Sequence, residues 1–256
     1  MHRFYLPPGH CQGTSLSLSG REAHHALHVL RVRRGEAVTV LDGEGLICEC
    51  VVEELGRDHL SLKVIERRSS APLPSQITVL QAIPKGKLFD SIIQKATELG
   101  AFRIIPFLTQ RTVAKIHEAD SRDKVEKWRA VAIEAIKQCG SAWLPRVEAP
   151  VTVEEFFANK PVVDLALVGS LQGDARHPRN YFEAFERQHG RKPKTVLVAI
   201  GPEGDFTPEE LAALQSVGAR PITLGPLVLR IETAAVYCLS VINYELLSGA
   251  EPLNRA

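Results

Sequence analysis

The rhythm of apolar and polar positions changes once along the chain, near residue 70. Before that point short runs alternate with a period of two. Ala37–Leu41, Leu46–Val52 and Leu60–Ile65 read as strands, with Asp42-Gly43-Glu44-Gly45 as the turn between the first two. One helical stretch, Gly20 to Leu30, interrupts them. This pattern predicts a small β-barrel over residues 1–70. The segment Arg67-Arg68-Ser69-Ser70-Ala71-Pro72-Leu73-Pro74 is polar, carries two prolines and follows neither hydrophobic period, so it predicts an inter-domain linker.

From Gln76 the pattern becomes strand then helix, repeated, which predicts an α/β domain over residues 75–256 with crossover helices on a mostly parallel sheet. Candidate strands are Ile77–Ile83, Phe102–Phe107, Asp164–Gly169, Thr195–Ile200 and Pro221–Leu224. Leu88, Ile92, Ala96 and Leu99 mark one face of a helix that stops at Gly100. Ser121 is a candidate cap for a helix running to Cys139. Thr207-Pro208-Glu209-Glu210 combines a cap, a first-turn proline and a Glu three residues after the cap, with Gly218 as the stop. A last, apolar helix covers Glu232 to Leu247.

Composition adds exclusions. The 256 residues are 45% hydrophobic and 24% charged, with no apolar run long enough to span a bilayer and no secretory leader, which predicts a cytoplasmic protein without a membrane partner. Five cysteines, at 11, 48, 50, 139 and 238, do not suit a disulfide framework in a chain this long. Cys48 and Cys50 fall on one face of a strand and read as small buried side chains, and no Cys/His spacing predicts a metal. Net charge is +1, but residues 85–146 hold twelve Lys/Arg against seven Asp/Glu, a surplus of five that is compatible with phosphate contacts.

The candidate chemistry lies after the strands. Thr195–Ile200 runs straight into Gly201-Pro202-Glu203-Gly204-Asp205, and comparable loops follow at Leu167-Val168-Gly169 and Leu224-Gly225-Pro226. Ligands of open α/β sheets bind at the carboxyl ends of strands. Glycines there let main-chain groups approach a ligand, and the absence of GxxxxGK[ST] or GxGxxG argues against a phosphate cradle. Backbone contacts to an adenine and a methionine moiety suit such loops better.

Arg3-Phe4, His24-His25 with Val29-Leu30-Arg31 and Gly35, Lys95-Ala-Thr-Glu-Leu-Gly100, Gln138-Cys139-Gly140 with Pro145, Gly201-Pro-Glu-Gly204 and Leu229-Arg-Ile-Glu-Thr-Ala234 occur in this order. In this set the chain resembles the ribosomal RNA small subunit methyltransferase E family, which methylates N3 of a uridine in 16S rRNA. The resemblance implies a PUA-like β-barrel ahead of a SPOUT-type knotted α/β methyltransferase domain. It further implies a homodimer, S-adenosyl-L-methionine as cofactor, and 16S rRNA of the small ribosomal subunit as partner. The chain departs from the family pattern in three places: Ser141 replaces an arginine, Asp205 a glycine, and Leu227-Val-Leu-Arg-Ile231 the usual Arg-Ile-Leu-Arg-Thr.

Uracil N3 carries a proton, so methylation needs that proton removed and the charge on O2 and O4 stabilised. Arg230 is the candidate donor to a uracil oxygen or phosphate; Glu232 is either the base or a helix cap. Cofactor contacts are expected from Gly169, Ile200, Gly201, Gly204, Leu224, Gly225 and Leu229. Glu203 either meets the cofactor or braces its loop. Arg3, Arg31, Arg33, Lys85, Lys87 and Arg111 are candidate RNA contacts, with a solvated charged face as the other reading of the arginines after the helix. His24, His25 and His28 read as surface or packing residues. The same fold acting on another RNA position, or an assembly factor without chemistry, are the alternative functions.

Overall fold

A computed structural model of the chain describes residues 1–86, 88–112, 118–171 and 174–248. Met1–Leu73 and Ala132–Leu144 form one compact unit. Its strands are β1 (His2–Tyr5), β2 (Ser15–Ser19), β3 (Ala37–Leu41), β4 (Leu46–Leu55) and β5 (His59–Ser69). They lie in the order β1-β3-β4-β5-β2, with β1 parallel to β3 and the other neighbours antiparallel. In β2, Ser-Leu-Ser-Leu-Ser buries only its leucines, as the two-residue period of a half-buried strand requires. Phe4, Leu18, Val38, Val40, Cys48, Cys50, Leu60 and Leu62 fill the core beneath. Burial pushes the Cys11 and Cys50 thiols up to about 12, so neither is a nucleophile at neutral pH.

Two expectations change in this unit. β5 continues past Ile65 because Arg67, Arg68 and Ser69 pair with Cys48, Ile47 and Leu46, so the first three residues of the expected linker are strand. Backbone pairing holds them there, and the Arg67 guanidinium donates to Cys11 O and Gly13 O. The expected helix from Gly20 divides into α1 (Gly20–His24) and a π-helical turn, His25–Leu30, which Arg31 ends in the left-handed region at φ 54°. Val32 N donates to Ala26 O (3.1 Å) across that wide turn.

The second unit comprises Pro74–Val131 and the chain from Pro145. It contains β6 (Gln76–Ala82), α2 (Leu88–Glu98), β7 (Arg103–Leu108), the part of α3 (Glu118–Cys139) up to Val131, β8 (Arg146–Val147), β9 (Val151–Thr152) and α4 (Val153–Ala158). After these come β10 (Leu165–Gly169), α5 (Pro178–His189), β11 (Thr195–Ile200), α6 (Pro208–Ser216), β12 (Arg220–Ile222) and α7 (Ile231–Leu247). The sheet order is β12-β10-β11-β6-β7-β8, with β9 beside β7, and every pairing is parallel. All carboxyl ends therefore share one edge. β6 and β11 are buried on both faces, which is why they read as nearly unbroken apolar runs.

At the opposite edge, Asp164 accepts both arms of Arg191 (2.9 and 3.0 Å) and the backbone N–H of Lys194 (2.7 Å). The Arg191 guanidinium first, then those backbone donors, hold the Asp164 carboxyl well below the usual carboxylate range. This fastens the start of β10 to the start of β11.

The tail of α3 is used in the first unit. Lys137, 5% exposed, pairs with Glu22 at 2.9 Å and Glu134 at 3.1 Å, while Glu22 also accepts Tyr5 N. Arg3 donates to Lys137 O and Gln138 O (3.1 Å each), satisfying carbonyls that the helix end leaves open. Gly140, at φ 78°, then turns the chain, and Trp143 Nε1 reaches Ser70 O (3.1 Å). The Arg3-Phe4 and Gln138-Cys139-Gly140 motifs thus meet although about 135 residues separate them.

Two stability outcomes follow from these contacts. Lys137→Met leaves Glu22 without its buried cation and is expected to cost about 3–5 kcal/mol in urea melts; a cost under about 1 kcal/mol would reject the pair as a structural anchor. A carboxyl held low in the folded state stabilises above its unfolded pKa and loses that contribution as pH falls through the folded one. Asp164→Asn is therefore less stable than wild type at pH 7, and the gap closes below about pH 4. A gap constant from pH 7 to 2 would contradict the assignment.

Candidate functional site

The order β12-β10-β11 makes the three glycine-bearing loops neighbours at one edge of the sheet. Ser170 N donates to Ile222 O (3.1 Å) and Thr223 N to Arg176 O (3.0 Å), so the segments after β10 and β12 are tied to each other. A Cβ placed on Gly169 would lie 3.8 Å from Leu224 Cδ1, an ordinary contact that measures how closely the two loops approach. Gly225 has φ +103°, where only glycine is unstrained, and donates its N–H to Thr223 Oγ1 (3.2 Å).

The middle loop, after Ile200, is held from several sides. Phe206 is buried against Phe107, with ring centroids 6.3 Å apart. A Cβ on Gly201 would come within 3.2 Å of both the Phe206 ring and its main-chain N, tighter than an ordinary contact, so glycine there spares the loop a displacement of Phe206 by a few tenths of an ångström. Asp205 N closes a turn onto Pro202 O (2.9 Å). Glu203 Oε1 accepts Lys85 N (3.3 Å) from the segment after β6. Arg111, after β7, donates to Gly204 O, and Gln110 N donates to Glu210 Oε1 (2.8 Å). The predicted capping box forms as well: Thr207 Oγ1 accepts Glu210 N (3.2 Å) and Glu210 Oε2 accepts Thr207 N (2.9 Å).

Asp205 is the strained member, a non-glycine at φ 61°. Its Oδ1 accepts Phe206 N (2.8 Å) and its Oδ2 accepts Leu171 N (3.4 Å), linking the loop after β11 to the one after β10. The left-handed backbone explains why glycine suits this position, and the carboxylate supplies two hydrogen bonds that glycine lacks.

Arg230 is the exposed N-cap residue of α7, and Glu232 is half-buried in that helix's first turn. Neither side chain has a hydrogen bond or ion pair among the described residues, so the helix-capping reading of Glu232 is not what the structure realises. Both stand where the N–H groups of the first turn concentrate positive potential. Leu224 and Leu229 are half-buried and Ile200 is buried. Of the candidate RNA contacts, Arg31, Arg33 and Lys85 are exposed. Arg3 and Arg111 have their guanidinium groups on backbone carbonyls, and Lys87 lies outside the described residues.

One residue was not anticipated. Gln81, near the carboxyl end of β6 and in register with Ile200, is fully buried. Its Nε2 donates to Ala82 O (3.0 Å), but its Oε1 has no partner among the described residues. The available signal was a lone amide in the otherwise apolar run Val79-Leu80-Gln81-Ala82. Among the described residues no group of three or more His, Cys, Asp or Glu is arranged to hold a metal, and no helix is long and apolar enough to cross a membrane.

Comparison with known proteins gives two family matches: an RNA methyltransferase domain over residues 71–243 and an RNA methyltransferase PUA domain over residues 18–65. The chain is 31% identical over 241 residues to the ribosomal RNA small subunit methyltransferase E of Bacillus subtilis, covering 93% of this chain and 94% of that one. Among solved structures, a Legionella pneumophila protein in complex with the cofactor SAM aligns with a TM-score of 0.85 at 30% identity, over 94% of this chain and 96% of the other. The ribosomal RNA small subunit methyltransferase E of Neisseria gonorrhoeae, bound to S-adenosyl methionine, aligns at 0.81 with 25% identity, over 95% and 97%.

The bridging loop has a direct test. Asp205→Ala keeps the left-handed strain and loses both hydrogen bonds, whereas Asp205→Gly loses the bonds but relieves the strain. The alanine variant is expected to be less stable than the glycine variant by about 1–2 kcal/mol in urea melts. Equal stabilities would mean that position 205 is not held left-handed.

Proposed function

The chain belongs to the ribosomal RNA small subunit methyltransferase E family, and on that premise we propose that it transfers a methyl group from S-adenosyl-L-methionine to N3 of a uridine in 16S rRNA. As a member it is an rRNA methyltransferase; the N3 position and the residue roles are the proposal. What carries it is the convergence of three backbone-rich loops on adjacent parallel strand ends, followed at once by Arg230 and Glu232 with no partner of their own among the described residues.

The residues present fit the cofactor. Main-chain N–H and C=O groups around Gly169, Gly201, Gly204, Leu224, Gly225 and Leu229 suit an adenine edge and an amino-acid moiety, which need matched donors and acceptors rather than a phosphate cradle. The unpaired Gln81 amide oxygen adds a buried acceptor beside Ile200. When bound, S-adenosyl-L-methionine supplies an electrophilic methyl group on its sulfonium.

Glu232 is assigned to accept the uracil N3 proton, and its lack of a structural partner leaves its carboxylate available for that task. Arg230 is assigned to the oxygen that gains charge as the proton leaves, where an always-charged guanidinium is the suitable donor. Glu203, engaged by Lys85 N, serves as a brace for the loop. Because N3 is hidden in a paired base, the target uridine has to be unpaired or flipped out. The homodimer, the knotted path and a cytoplasmic location belong to the same proposal. In support of a second copy, Leu227, Val228 and Tyr244 are large apolar or aromatic side chains left mostly exposed, at 73%, 76% and 70%.

Calorimetry is expected to show S-adenosyl-L-methionine binding that Gly201→Val weakens at least about tenfold through the Phe206 clash; no heat from wild type at millimolar cofactor would remove the cofactor assignment. Glu232→Gln is expected to lower turnover by about 10²-fold or more with cofactor affinity intact, the scale of a lost general base. Unaltered turnover would return Glu232 to a structural role. Mass mapping of 16S rRNA from a deletion strain should lack N3-methyluridine, and an unchanged peak would reject the substrate.

A further inference from the structure

The amino-terminal unit contains a depression that none of the assigned roles uses. It is lined by Ser19, Gly20, His24, Leu27, His28 and the turn Arg57-Asp58-His59, and encloses about 310 Å³. That is the lower end of the range for small-molecule sites, about 300–1,000 Å³, and far too small for a helix of nucleic acid.

Its walls are built from unusual parts. His24 and His28 stand one turn apart, with ring centroids 4.8 Å from each other and planes inclined by 48°. His28 and Leu27 belong to the π-helical turn, a rare conformation that concentrates at functional sites. From the other side, the imidazole of His59 lies directly over Gly56, where a Cβ would come within 2.4 Å of the ring. Gly56 does not have a left-handed φ, so what its missing side chain provides is the seat for that ring. Asp58 Oδ1, 3.2 Å from His59 Nδ1, holds the ring in orientation. Arg57 is exposed, and its guanidinium has no hydrogen bond or ion pair among the described residues.

We infer that this depression binds one unpaired nucleotide of the RNA substrate, with the base against the imidazole faces of His28 and His59 and the adjoining phosphate at Arg57. Unpaired bases are held by stacking on aromatic or imidazole rings, and an uncommitted guanidinium is the natural partner of a phosphate. The depression lies inside the segment matched by the RNA methyltransferase PUA domain. The inference rests on the RNA methyltransferase reading for its ligand, and it adds a nucleotide-reading site distinct from the loops at the sheet edge.

The test uses the full chain, a fluorescent single-stranded oligouridylate and a blunt RNA duplex of equal length. Wild type is expected to prefer the single strand. Arg57→Ala and His28→Ala should each weaken single-strand binding by about tenfold, His28→Phe should restore it, and the affinity for S-adenosyl-L-methionine should stay within about twofold in every variant. Unaltered single-strand binding in the alanine variants, equal binding of duplex and single strand, or failure of phenylalanine to rescue overturns the inference. A wild type that binds oligouridylate here but takes up no S-adenosyl-L-methionine overturns the methyltransferase reading and leaves the nucleotide site standing.

Discussion

The site depends on the immobility of one six-residue loop. Gly201–Phe206 leaves β11 with a single large anchor, the Phe206 ring, whose burial contributes about 2–3 kcal/mol. Around that anchor, contacts reach it from the segments after β6, β7 and β10, through Glu203, Arg111 and Asp205. Polar contacts of this kind are individually worth about 1–3 kcal/mol when charge-assisted. Their larger effect is geometric: a loop fixed to three neighbours presents its main-chain groups in one arrangement, which a ligand recognised by backbone contacts requires.

That arrangement is possible because the sheet is wholly parallel and its chain order is not sequential. β12 returns to pair with β10 rather than continuing beyond β11, so the last loop comes back beside the first and the entrance to α7 follows it. Arg230 and Glu232 are thereby carried on a short path from Gly225, and α7 packs on β11 and α2. The opposite edge needs no such convergence. Asp164 and Arg191 simply fasten the strand starts.

Much of the fold was legible because hydrophobic period and cap chemistry are local. β11 matches its expected limits, Thr195–Ile200, to the residue, the Thr207–Glu210 box forms as read, and α7 begins one residue before the expected Glu232. α5 was not anticipated although Pro178 and Gly190 punctuate it, since its apolar face rests on Phe182 and Phe185 amid polar residues. β1 offers only four residues, β2 carries a legible Ser-Leu alternation with just two apolar side chains to mark it, and the π-helical turn depends on Arg31 taking a left-handed backbone that no propensity signals. In the site, the glycines announced the loops. The engagement of Arg3 with the end of α3 and the reach of Asp205 to Leu171 arise from partners distant in sequence, and composition or spacing carries no trace of them; the lone amide of Gln81 was legible in its apolar run, whereas its unsatisfied oxygen was not.

The Asp205 bridge also bears on how this surface tolerates sequence drift. Both hydrogen bonds that its carboxylate accepts come from main-chain N–H groups, and the Leu171 side chain itself is 62% exposed. The lock therefore reads no side chain at position 171. Any residue that keeps its amide proton preserves it, and only proline, which has none, would open it. At position 171 this contact asks only for an amide proton, whereas position 205 is confined to residues that accept a left-handed backbone, glycine among them, so variability measured at one end of this contact says nothing about the constraint at the other.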